Sequence, residues 1–546
     1  MADKYIQHGP RLQRKLIEES MGDLLYSSLK NSLDNVILID ALTGEEATGK
    51  LILARSIQLA RWFQIAGIGI GDSISICSEN RIEFSIIPIA AFFMGITIAP
   101  LNPDYTVVEL KHILHLSKPK AVFCSEKYIN KMISVLPDHP YIQTLVVFDT
   151  KKYPQRNVIS LNNDILKGIN KVDNDFKVAV INTKETIATI LCSSGTTGMP
   201  KGVLCTHDNM VCFMEVSKLM MSTFHENEDS NDAMIGLNPF FHSFGFMLMI
   251  MNLVRGKTML VIRKYSLKLL LDTLVKYKIR RVIVSPPVLL QMLKNPLTSK
   301  YDLSFIREIR TGAASLGKEV EKELANKFSV KFVSQAYGLT ETTLGVLMNS
   351  EDMRVKVGSV GKVVPGMMAK VIDEKGNVLG PNKNGELCFK GPLIMKGYVN
   401  NNEATSNTID AEGWLHTGDI GYYDEEGYFF VVDRLKELIK YKAFQVAPAE
   451  LESILLSHPC IADAAVIGLP NSEAGELPLA FVVKRPGMDV TEEEVKKLIA
   501  DTLSYQKHLR GGVIFIDEIP KNPSGKILRR VLKERAIHLQ KHKSKL

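Results

Sequence analysis

Short apolar runs alternate with helical patterns over most of the chain, and this alternation constrains the fold more than any other feature. Runs such as SISIC (73–77), KAVFCS (120–125) and TLVVF (144–148) predict buried strands. Further runs of this kind are ITIAPL (96–101), TMLVI (258–262) and RRVIVS (280–285). The segment SLKLLLDTLVKYK (266–278) instead repeats its apolar residues at helical spacing. The alternation predicts an α/β fold with mostly buried strands.

The character of the chain changes after about residue 355, where glycine becomes dense and the apolar runs shorten. The stretch KVGSVGKVVPGMMAKVIDEKGNVLGPNKNGELCFKG predicts a small β-rich subdomain. Charged residues then crowd residues 433–442 beside an apolar strand, which indicates a segment between domains. Pro448 and Glu450 begin a helix. The patterns beyond it predict a compact α+β domain, with strands near 462–468, 478–484 and 513–517 and a helix near 491–503.

Composition narrows the class of protein. The chain has 546 residues, 45% of them hydrophobic, which allows large cores and roughly two to four domains. Its net charge of +7, from 67 basic and 60 acidic residues, is small for this length and does not indicate nucleic-acid binding. The seven cysteines are scattered without a CxxC motif, which favours reduced thiols in an intracellular compartment over disulfides or a zinc site.

Membrane-spanning segments are recognisable by their apolar length, and targeting segments by terminal motifs. The longest apolar run, residues 85–101, is interrupted by two prolines and a glycine and is shorter than the about 20 residues of a membrane-spanning helix. It predicts a buried helix followed by a strand. The N-terminus has no apolar segment typical of a secretory signal. The last residues, Ser544-Lys545-Leu546, spell the SKL address, which predicts a peroxisomal location and an import receptor as partner.

The loop CSSGTTGMPKG (192–202) carries unusual chemistry for its length. It follows TIATIL (186–191), which predicts a strand, and precedes a turn or cap signal in VLCTHDN (203–209) and then a helical pattern. Its glycines let a ligand approach the backbone, and its hydroxyls, amides and Lys201 suit an anion such as phosphate. It is not a Walker loop, because Pro200 stands where that pattern has glycine. These residues alone leave phosphate binding and an ordinary loop both open.

Three further stretches share this small, hydroxylated and charged character: QAYGLTETT (335–343), GWLHTGDIGYYDEEGYFFVVDRLKELIKYK (413–442) and IPKNPSGKILRR (519–530). Together with the loop at 192–202, in this order and spacing, they resemble the adenylate-forming superfamily of acyl-CoA synthetases, plant 4-coumarate–CoA ligases and beetle luciferases. The resemblance covers nearly the whole chain and looks closest to the insect luciferase-like fatty-acyl-CoA synthetases.

The resemblance implies a specific domain organisation. A large N-terminal domain of α/β subdomains plus a β-rich subdomain would be hinged to a small, mobile C-terminal α+β domain. The implied boundaries are 1–434 for the large domain, 435–437 for a hinge centred on Lys436, and 438–546 for the small domain.

The same resemblance implies the nucleotide contacts. The residues expected at the ATP phosphates are Ser193, Ser194, Gly195, Thr196, Thr197, Gly198 and Lys201. The residues expected around adenine and the adenylate are Gly312, Ala313, Ala314, Gln335, Ala336, Tyr337, Gly338, Leu339, Thr340, Asp419 and Arg434. Asp419 would accept both ribose hydroxyls, because a carboxylate has the paired acceptors that a cis-diol needs. Glu341 would help to hold Mg²⁺. The alternatives are a solvated or helix-capping acid for Glu341 and an interdomain salt bridge for Arg434.

Lys526, Lys442 and His242 are the implied catalytic residues. Lys526 would bridge the substrate carboxylate and the α-phosphate during adenylation. Lys442 would enter for thioester formation after the small domain rotates about Lys436. His242 would lie at the carboxylate end of the acyl pocket, although a lone histidine among aromatic residues is otherwise usually a core residue. The aromatic members implied for this pocket are Phe213, Phe241 and Phe244.

The residues implied for binding CoA are Lys442, Ala443 and Gln445. Relatives commonly have glycine where this chain has Ala443. The added methyl group would strain the backbone if the position needs a positive φ, or it would hinder CoA if the position only leaves room for pantetheine. The CoA half of the reaction is therefore open to question at this residue.

Two functions from different classes share the adenylation step. One is an acyl-CoA synthetase that uses ATP, Mg²⁺ and CoA to convert a medium- or long-chain fatty acid, or an arylalkanoic acid, through acyl-AMP to acyl-CoA. The other is a luciferase that adenylates a heterocyclic acid and oxidises it with O₂ to emit light. Phe213 matches a pocket arginine of luciferases, and FFHSFG replaces their HHGFG or HHAFG. Both changes make the pocket more apolar and favour the synthetase.

Overall fold

The structure is a computed structural model that describes residues 2–12, 19–148, 157–168, 171–193, 199–220, 233–314, 316–330, 333–350, 354–442, 444–471, 473–523 and 525–543. Several residues singled out above lie outside the described residues: Ser194, Gly195, Thr196, Thr197, Gly198, Ala443, Ser544, Lys545 and Leu546.

Secondary structure follows the alternation seen in the sequence. Up to Met220 the strands are β1 (Gln7–His8), β2 (Val36–Asp40), β3 (Glu46–Thr48), β4 (Ser73–Cys77), β5 (Thr97–Leu101), β6 (Ala121–Cys124), β7 (Thr144–Val147), β8 (Val158–Ser160), β9 (Ile187–Ser193) and β10 (Lys201–Thr206). The helices are α1 (Met21–Asn31), α2 (Gly49–Ile65), α3 (Ile82–Phe93), α4 (Val107–Ser117), α5 (Ile129–Val135) and α6 (His207–Met220).

The next region continues the α/β pattern. Its strands are β11 (Met234–Gly236), β12 (Met259–Val261), β13 (Arg281–Ile283), β14 (Glu308–Thr311), β15 (Val333–Gln335), β16 (Tyr337–Leu339) and β17 (Leu344–Met348). Its helices are α7 (Ser243–Arg255), α8 (Leu267–Tyr277), α9 (Pro286–Lys294) and α10 (Lys318–Phe328).

The remainder is richer in strands. These are β18 (Lys362–Val363), β19 (Met368–Ile372), β20 (Gly385–Lys390), β21 (Gly397–Tyr398), β22 (Leu415–Tyr423), β23 (Phe429–Arg434), β24 (Ile439–Tyr441), β25 (Phe444–Val446), β26 (Ile461–Asn471), β27 (Gly475–Lys484) and β28 (Gly512–Phe515). The helices are α11 (Asn402–Thr408), α12 (Pro448–Ser457), α13 (Glu492–Thr502) and α14 (Arg529–Lys543).

The largest sheet has the strand order β21-β10-β9-β5-β4-β6-β7-β8. Strands β5, β4, β6, β7 and β8 pair in parallel, as buried strands joined by helices do. The longest apolar run of the sequence becomes helix α3, whose side chains are nearly all buried, followed by strand β5. This prediction is confirmed. None of the helices in the described ranges combines the length and apolar character that a membrane crossing requires.

A strand and then a helix follow the loop. Val203 to Thr206 belong to strand β10, which pairs antiparallel with β9 and places Lys201 opposite Ser193. The cap signal predicted in Thr-His-Asp-Asn (206–209) is confirmed, because Thr206 Oγ1 accepts a hydrogen bond of 3.1 Å from Asn209 N at the start of α6.

Smaller sheets make up other parts of the large domain. Strands β13, β14 and β15 pair in parallel, so their carboxyl ends meet at one edge. The predicted β-rich subdomain contains an antiparallel sheet of order β1-β19-β20-β22-β23, whose first strand comes from the N-terminus. The turn at 435–437 then connects β23 to β24.

The C-terminal part has its own hydrophobic core. Strands β25, β24, β27 and β26 lie in this order, β28 pairs with β27, and α12 and α13 supply core residues such as Leu451 and Ile499. The predicted fold class, a large α/β domain with a β-rich part and a small α+β domain, is confirmed. The exact boundaries at 434 and 438 stay predictions.

Candidate active site

A cavity of about 500 Å³ opens where the large domain meets the C-terminal domain. The carboxyl ends of β13, β14 and β15 contribute Ile283, Thr311 and the adjoining Ala336 to its wall. In open α/β sheets, the crevice beyond the carboxyl ends of the strands is the usual ligand site. Other walls come from the start of α7, the hairpin β16–β17, the first residues of β22 and the turn that carries Lys526.

Two positions show why the backbone of this wall needs particular residues. Ala313 has a φ of 72°, the left-handed conformation that residues with a side chain rarely adopt. Such strain persists where the surrounding structure holds a loop in place, often at a binding site. Gly338 is required sterically, because a Cβ there would lie 1.6 Å from the carbonyl oxygen of Leu344 across the hairpin β16–β17.

Asp419 and Arg434 form an ion pair beside the cavity. They lie opposite each other on the antiparallel strands β22 and β23, with Arg434 Nε 3.2 Å from Asp419 Oδ1. The Tyr337 hydroxyl donates a hydrogen bond of 2.6 Å to Asp419 Oδ2. Burial raises the pKa of Asp419, and Arg434 and Tyr337 oppose this rise. The partner of Arg434 thus lies in its own sheet rather than across a domain boundary.

Tyr398 brings a carboxylate and a cation together. The Tyr398 hydroxyl donates a hydrogen bond of 2.9 Å to Glu341 Oε1. Lys201 Nζ lies 4.7 Å from the centre of the Tyr398 ring. Thr340 Oγ1, in the adjacent turn, lies 3.3 Å from Ser243 Oγ. Hydroxyl, carboxylate and ammonium groups therefore meet near the ends of β9 and β10, where a polyanion with a hard cation would find both donors and acceptors.

His242 forms the N-cap of helix α7 and faces the cavity. Its Nδ1 accepts a hydrogen bond of 3.4 Å from Phe244 N, so the neutral ring carries its proton on Nε2. Burial, with a smaller contribution from Lys526, lowers the pKa of His242 to about 4. The side chain is therefore a neutral hydrogen-bond donor at physiological pH, not a cation.

Lys526 reaches the cavity from the C-terminal domain on a tight turn. Within this turn, Lys526 N donates to Asn522 Oδ1 at 2.8 Å. Gly525 has a φ of 88°, and a Cβ there would lie 2.7 Å from Pro287 Cγ, so glycine lets the turn approach helix α9 of the large domain. Burial and, second, Arg434 lower the pKa of Lys526 to about 8. The ammonium is thus mostly charged at neutral pH.

Apolar side chains form one part of the cavity lining next to His242, and this part of the lining is called the apolar arm. Phe244, Leu248 and Met251 follow on one face of α7 at positions i, i+4 and i+7, which is helical spacing. Phe213 and Ser217 of α6, and Leu344 and Met348 of β17, are further lining residues. Apart from the Ser217 hydroxyl, these side chains are apolar, so the arm suits a hydrophobic substrate group.

The structure brings most of the predicted site residues together. Those that line the cavity are Ser193, Phe213, His242, Phe244, Gly312, Ala313, Ala336, Tyr337, Gly338, Leu339, Thr340, Glu341, Arg434, Lys436 and Lys526. Asp419 adjoins it through Tyr337 and Arg434. Ala314 and Phe241 are absent from the lining, although each is next to a residue that belongs to it.

The side chain of Gln335 has a different environment from the one expected. It donates from Nε2 to Glu321 Oε2 at 2.9 Å and to the carbonyl oxygen of Leu316 at 3.2 Å. Its Oε1 accepts from Leu316 N at 3.2 Å. The Gln335 side chain therefore contacts Leu316 and Glu321 and does not line the cavity.

Lys442 and Gln445, two of the predicted CoA-binding residues, are absent from the cavity lining. Tyr441 pairs with Phe444 across the hairpin β24–β25, and Lys442 begins the connection between these strands. Lys442 is exposed with a φ of 51°, as the favoured two-residue hairpin turns require at their first position. Gln445 is also exposed. Lys526, not Lys442, faces the site in this domain arrangement.

Several lining residues carried no signal in the sequence. Tyr398 stands on the two-residue strand β21, and His416 and Glu386 stand on strands β22 and β20. Arg310, Leu344 and Met348 also line the cavity. The helical spacing of Leu248 and Met251 after His242 is the one pattern that could have found further members of the apolar arm.

Comparison with known families accounts for both parts of the molecule. The profile of the AMP-binding enzyme family matches residues 26–399, and that of the AMP-binding enzyme C-terminal domain matches residues 450–526. The chain belongs to the AMP-binding enzyme family. The resemblance to the adenylate-forming superfamily is thereby confirmed.

Relatives of this AMP-binding enzyme include two classes of catalyst. The chain is 40% identical to the luciferin 4-monooxygenase of Photuris pensylvanica, with 100% of both chains covered. It is 43% identical to that of Nipponoluciola cruciata, with 97% of each chain covered. It is also 37% identical to the probable 4-coumarate–CoA ligase 3 of Dictyostelium discoideum, with 95% of each covered.

Solved structures support the same fold. The crystal structure of ATP-bound MatB from Rhodopseudomonas palustris is 26% identical, covers 95% of this chain and 99% of its own, and superimposes with a TM-score of 0.81. This AMP-binding enzyme is thus an adenylate-forming enzyme by family, for which ATP and a small-molecule carboxylic acid are fitting substrates.

Proposed function

We propose that the protein is an acyl-CoA synthetase that converts a medium- or long-chain fatty acid, or an arylalkanoic acid, to its acyl-AMP and then to acyl-CoA. The observation that carries this proposal is the apolar arm lined by Phe213, Phe244, Leu248 and Met251, which lies next to His242. Each buried CH₂ contributes about 0.8 kcal/mol to the free energy of binding. An arm without a charged side chain therefore favours binding of an alkyl or aryl tail.

Charge governs the first step. The substrate carboxylate attacks the α-phosphorus of ATP, a bond to the β-phosphate oxygen breaks, and pyrophosphate leaves. Both reactants are anions, so the attack needs cations placed between them. Lys526 is the cation that the C-terminal domain contributes to the cavity, and the Nε2 proton of His242 can orient the carboxylate at the start of the arm.

The nucleotide is held by groups of complementary chemistry. Asp419 offers carboxylate acceptors for the ribose diol, and Thr340 with Lys201 offers donors for the phosphates. Glu341 presents a hard oxygen ligand of the kind Mg²⁺ prefers, which fits a role in holding the ion. When bound, Mg²⁺ would neutralise part of the phosphate charge.

Thioester formation needs a second arrangement of the small domain. The sulfur of CoA attacks the acyl carbonyl of the adenylate, the thiol proton leaves and AMP departs. Because Lys442 is exposed and Lys526 occupies the site here, we propose that rotation about Lys436 exchanges the two lysines.

The C-terminal SKL supports our further proposal that the protein enters the peroxisome through the import receptor.

A luciferase is the second candidate, favoured by the 40% and 43% identities to luciferin 4-monooxygenases over nearly complete chains. Phe213 argues against it. This residue is 2% exposed and lines the arm at the position where luciferases keep an arginine, so a polar heterocycle lacks that charge partner.

One experiment ranks the two functions. The purified enzyme is given ATP, Mg²⁺, CoA and a panel of acids from C6 to C18, with beetle luciferin included. Pyrophosphate release, acyl-CoA formation and light are measured in parallel. We expect acyl-CoA from the fatty acids and at most faint light. Bright light from luciferin, with no acyl-CoA from any acid in the panel, would reverse the assignment.

A further inference from the structure

Glu386, Cys388 and His416 bring a carboxylate, a thiol and an imidazole together on two adjacent interior strands of the β-rich sheet. Glu386 and Cys388 are two residues apart on β20, so they share one face of the strand, and Cys388 pairs with His416 on β22. His416 Nδ1 lies 3.1 Å from Glu386 Oε2 and 3.6 Å from Cys388 Sγ. The three ligand atoms all lie within 4.8 Å of one another. The adenylation step proposed above assigns no role to any of them.

The two separations from His416 Nδ1 are close to the edges of a tetrahedral zinc site. Zinc bonds of about 2.0–2.1 Å to histidine, 2.0–2.2 Å to carboxylate and 2.3 Å to thiolate give edges of roughly 3.4 Å between nitrogen and oxygen. The edge between nitrogen and sulfur is roughly 3.6 Å. The observed 3.6 Å between nitrogen and sulfur equals its edge, and the observed 3.1 Å between nitrogen and oxygen is shorter than its edge by about 0.3 Å, which a small side-chain rotation supplies.

The surrounding hydrogen bonds leave the correct atoms available. His416 has a carboxylate at each ring nitrogen, with Nδ1 3.1 Å from Glu386 Oε2 and Nε2 3.4 Å from Asp410 Oδ2. When Nδ1 binds a metal, Asp410 can accept the ring proton's hydrogen bond from Nε2. A carboxylate behind the histidine is a recurring feature of zinc sites. Glu386 Oε1 accepts a hydrogen bond of 2.9 Å from Gly418 N, so its Oε2 is the oxygen directed at the cluster.

We infer that Glu386, Cys388 and His416 form a binding site for a borderline divalent cation such as Zn²⁺. Glu386 and His416 also line the cavity, so the fourth position is open to water from that side, as in a three-ligand site. On binding, Cys388 Sγ exchanges its proton for the metal and the proton goes to solvent. The ion would tie β20 to β22, and its binding would stabilise the folded chain by an amount that grows with the logarithm of the free metal concentration.

Cobalt(II) tests this inference directly, because a thiolate ligand gives it a charge-transfer absorption in the near ultraviolet. The full-length protein, freed of metal with a chelator, is titrated with Co²⁺ and then with Zn²⁺ as competitor. We expect one Co²⁺ per chain, a charge-transfer band that Zn²⁺ removes, and a rise in melting temperature with Zn²⁺. Cys388→Ser should abolish the band, whereas Cys460→Ser, a thiol change in the C-terminal domain, should retain it.

Asp410→Asn provides a second variant that keeps all three ligands. Loss of its carboxylate should weaken metal affinity about 10- to 100-fold without removing the band. This variant decides the question if Cys388→Ser fails to fold. A titration without the band, a band that survives in Cys388→Ser, or unchanged affinity in Asp410→Asn would show that the cluster is only a hydrogen-bonded network.

Discussion

Lys294 donates a hydrogen bond of 2.7 Å from its Nζ to the carbonyl oxygen of Ile461, across the junction between the large and C-terminal domains. A second bond of 2.9 Å reaches the carbonyl oxygen of Leu456, in the last turn of α12. The carbonyl end of a helix attracts a cation. Lys294 is therefore bound to the small domain in the arrangement that presents Lys526 to the cavity.

Removing this cation should shift the domain equilibrium. Hydrogen bonds to a charged group are worth about 1.5–3 kcal/mol, so Lys294→Met should depopulate this arrangement roughly tenfold or more. We expect acyl-adenylate formation to slow by about tenfold, whereas conversion of a supplied acyl-adenylate with CoA is retained. Pyrophosphate release and thioester formation are assayed separately. Lys300→Met, an exposed lysine nearby, is the matched control. Equal losses in both half-reactions would contradict this role of Lys294.

Lys526→Ala should abolish adenylation. One well-placed cation in a site shielded from water is worth several kcal/mol, so we expect pyrophosphate release to fall by about 10² or more. Use of a supplied acyl-adenylate with CoA should largely survive, because the proposed second arrangement removes Lys526 from the cavity. Arg530→Ala, an exposed cation on α14, should leave both half-reactions intact. A variant that loses both half-reactions equally would refute the assignment.

Lys442→Ala should have the opposite effect to Lys526→Ala, with slower thioester formation and normal adenylation.

Ala443→Gly tests the effect of alanine at a position where relatives commonly have glycine. If the methyl group hinders pantetheine, this substitution speeds acyl transfer to CoA and leaves pyrophosphate release unchanged. The rate and KM for CoA are measured with the acyl-adenylate supplied. Unchanged values in Ala443→Gly would mean that alanine is harmless there.

Adenylation should weaken at alkaline pH. The pKa values of Lys526 and Lys294 are both lowered to about 8, mainly by burial, so both groups lose their charge as the pH rises through 8. We expect kcat/KM for ATP to fall by up to about tenfold per pH unit above that value. Lys526→Arg should retain a charged group and flatten this decline at a lower overall rate. A decline with the same midpoint in the double variant Lys526→Arg/Lys294→Arg would exclude both groups as its cause.

Stability should respond to the same titrations with the opposite sign. Between pH 8 and about 10.5 the unfolded lysines hold protons that the folded ones have lost, so unfolding takes up protons. The contribution of these two residues to the free energy of unfolding therefore rises with pH while activity falls. Denaturant unfolding of the wild type and of Lys294→Met across this range measures the difference.

Chain length and Phe213 should set substrate preference. Extending a fatty acid by four carbons could raise kcat/KM about 200-fold while the arm has room, at about 0.8 kcal/mol per CH₂. We expect efficiency to rise from C6 to about C12. Phe213→Arg should weaken the fatty-acid reaction and increase the faint light from luciferin, whereas Phe213→Met, which stays apolar, should do neither. Flat efficiency from C6 to C12 would mean that the arm does not hold the tail.

Much of the fold could be predicted because it depends on short-range patterns. SISIC became β4 at the predicted bounds, and the helix beginning at Pro448 was found from its first residues. The roles of Asp419 and Lys526 followed from resemblance, and their positions beside one cavity agree with it. Gln335 shows the limit of such reasoning. Adjacent residues of a strand point to opposite faces, so a motif alone does not say which one meets the ligand.

The sequence by itself determined the types and order of the elements and the chemical groups available to the site, since these depend on neighbouring residues. Tertiary structure alone decided which groups meet. Tyr337 reaches Asp419 across 82 residues, and Tyr398 reaches Glu341 across 57, because separate strands place them together. Lys526 and His242 likewise line one cavity although they are distant in sequence. Cys388 lies beside His416 because strands β20 and β22 pair, and nothing along the sequence indicates this contact. Such contacts come from long-range packing, which no local periodicity records.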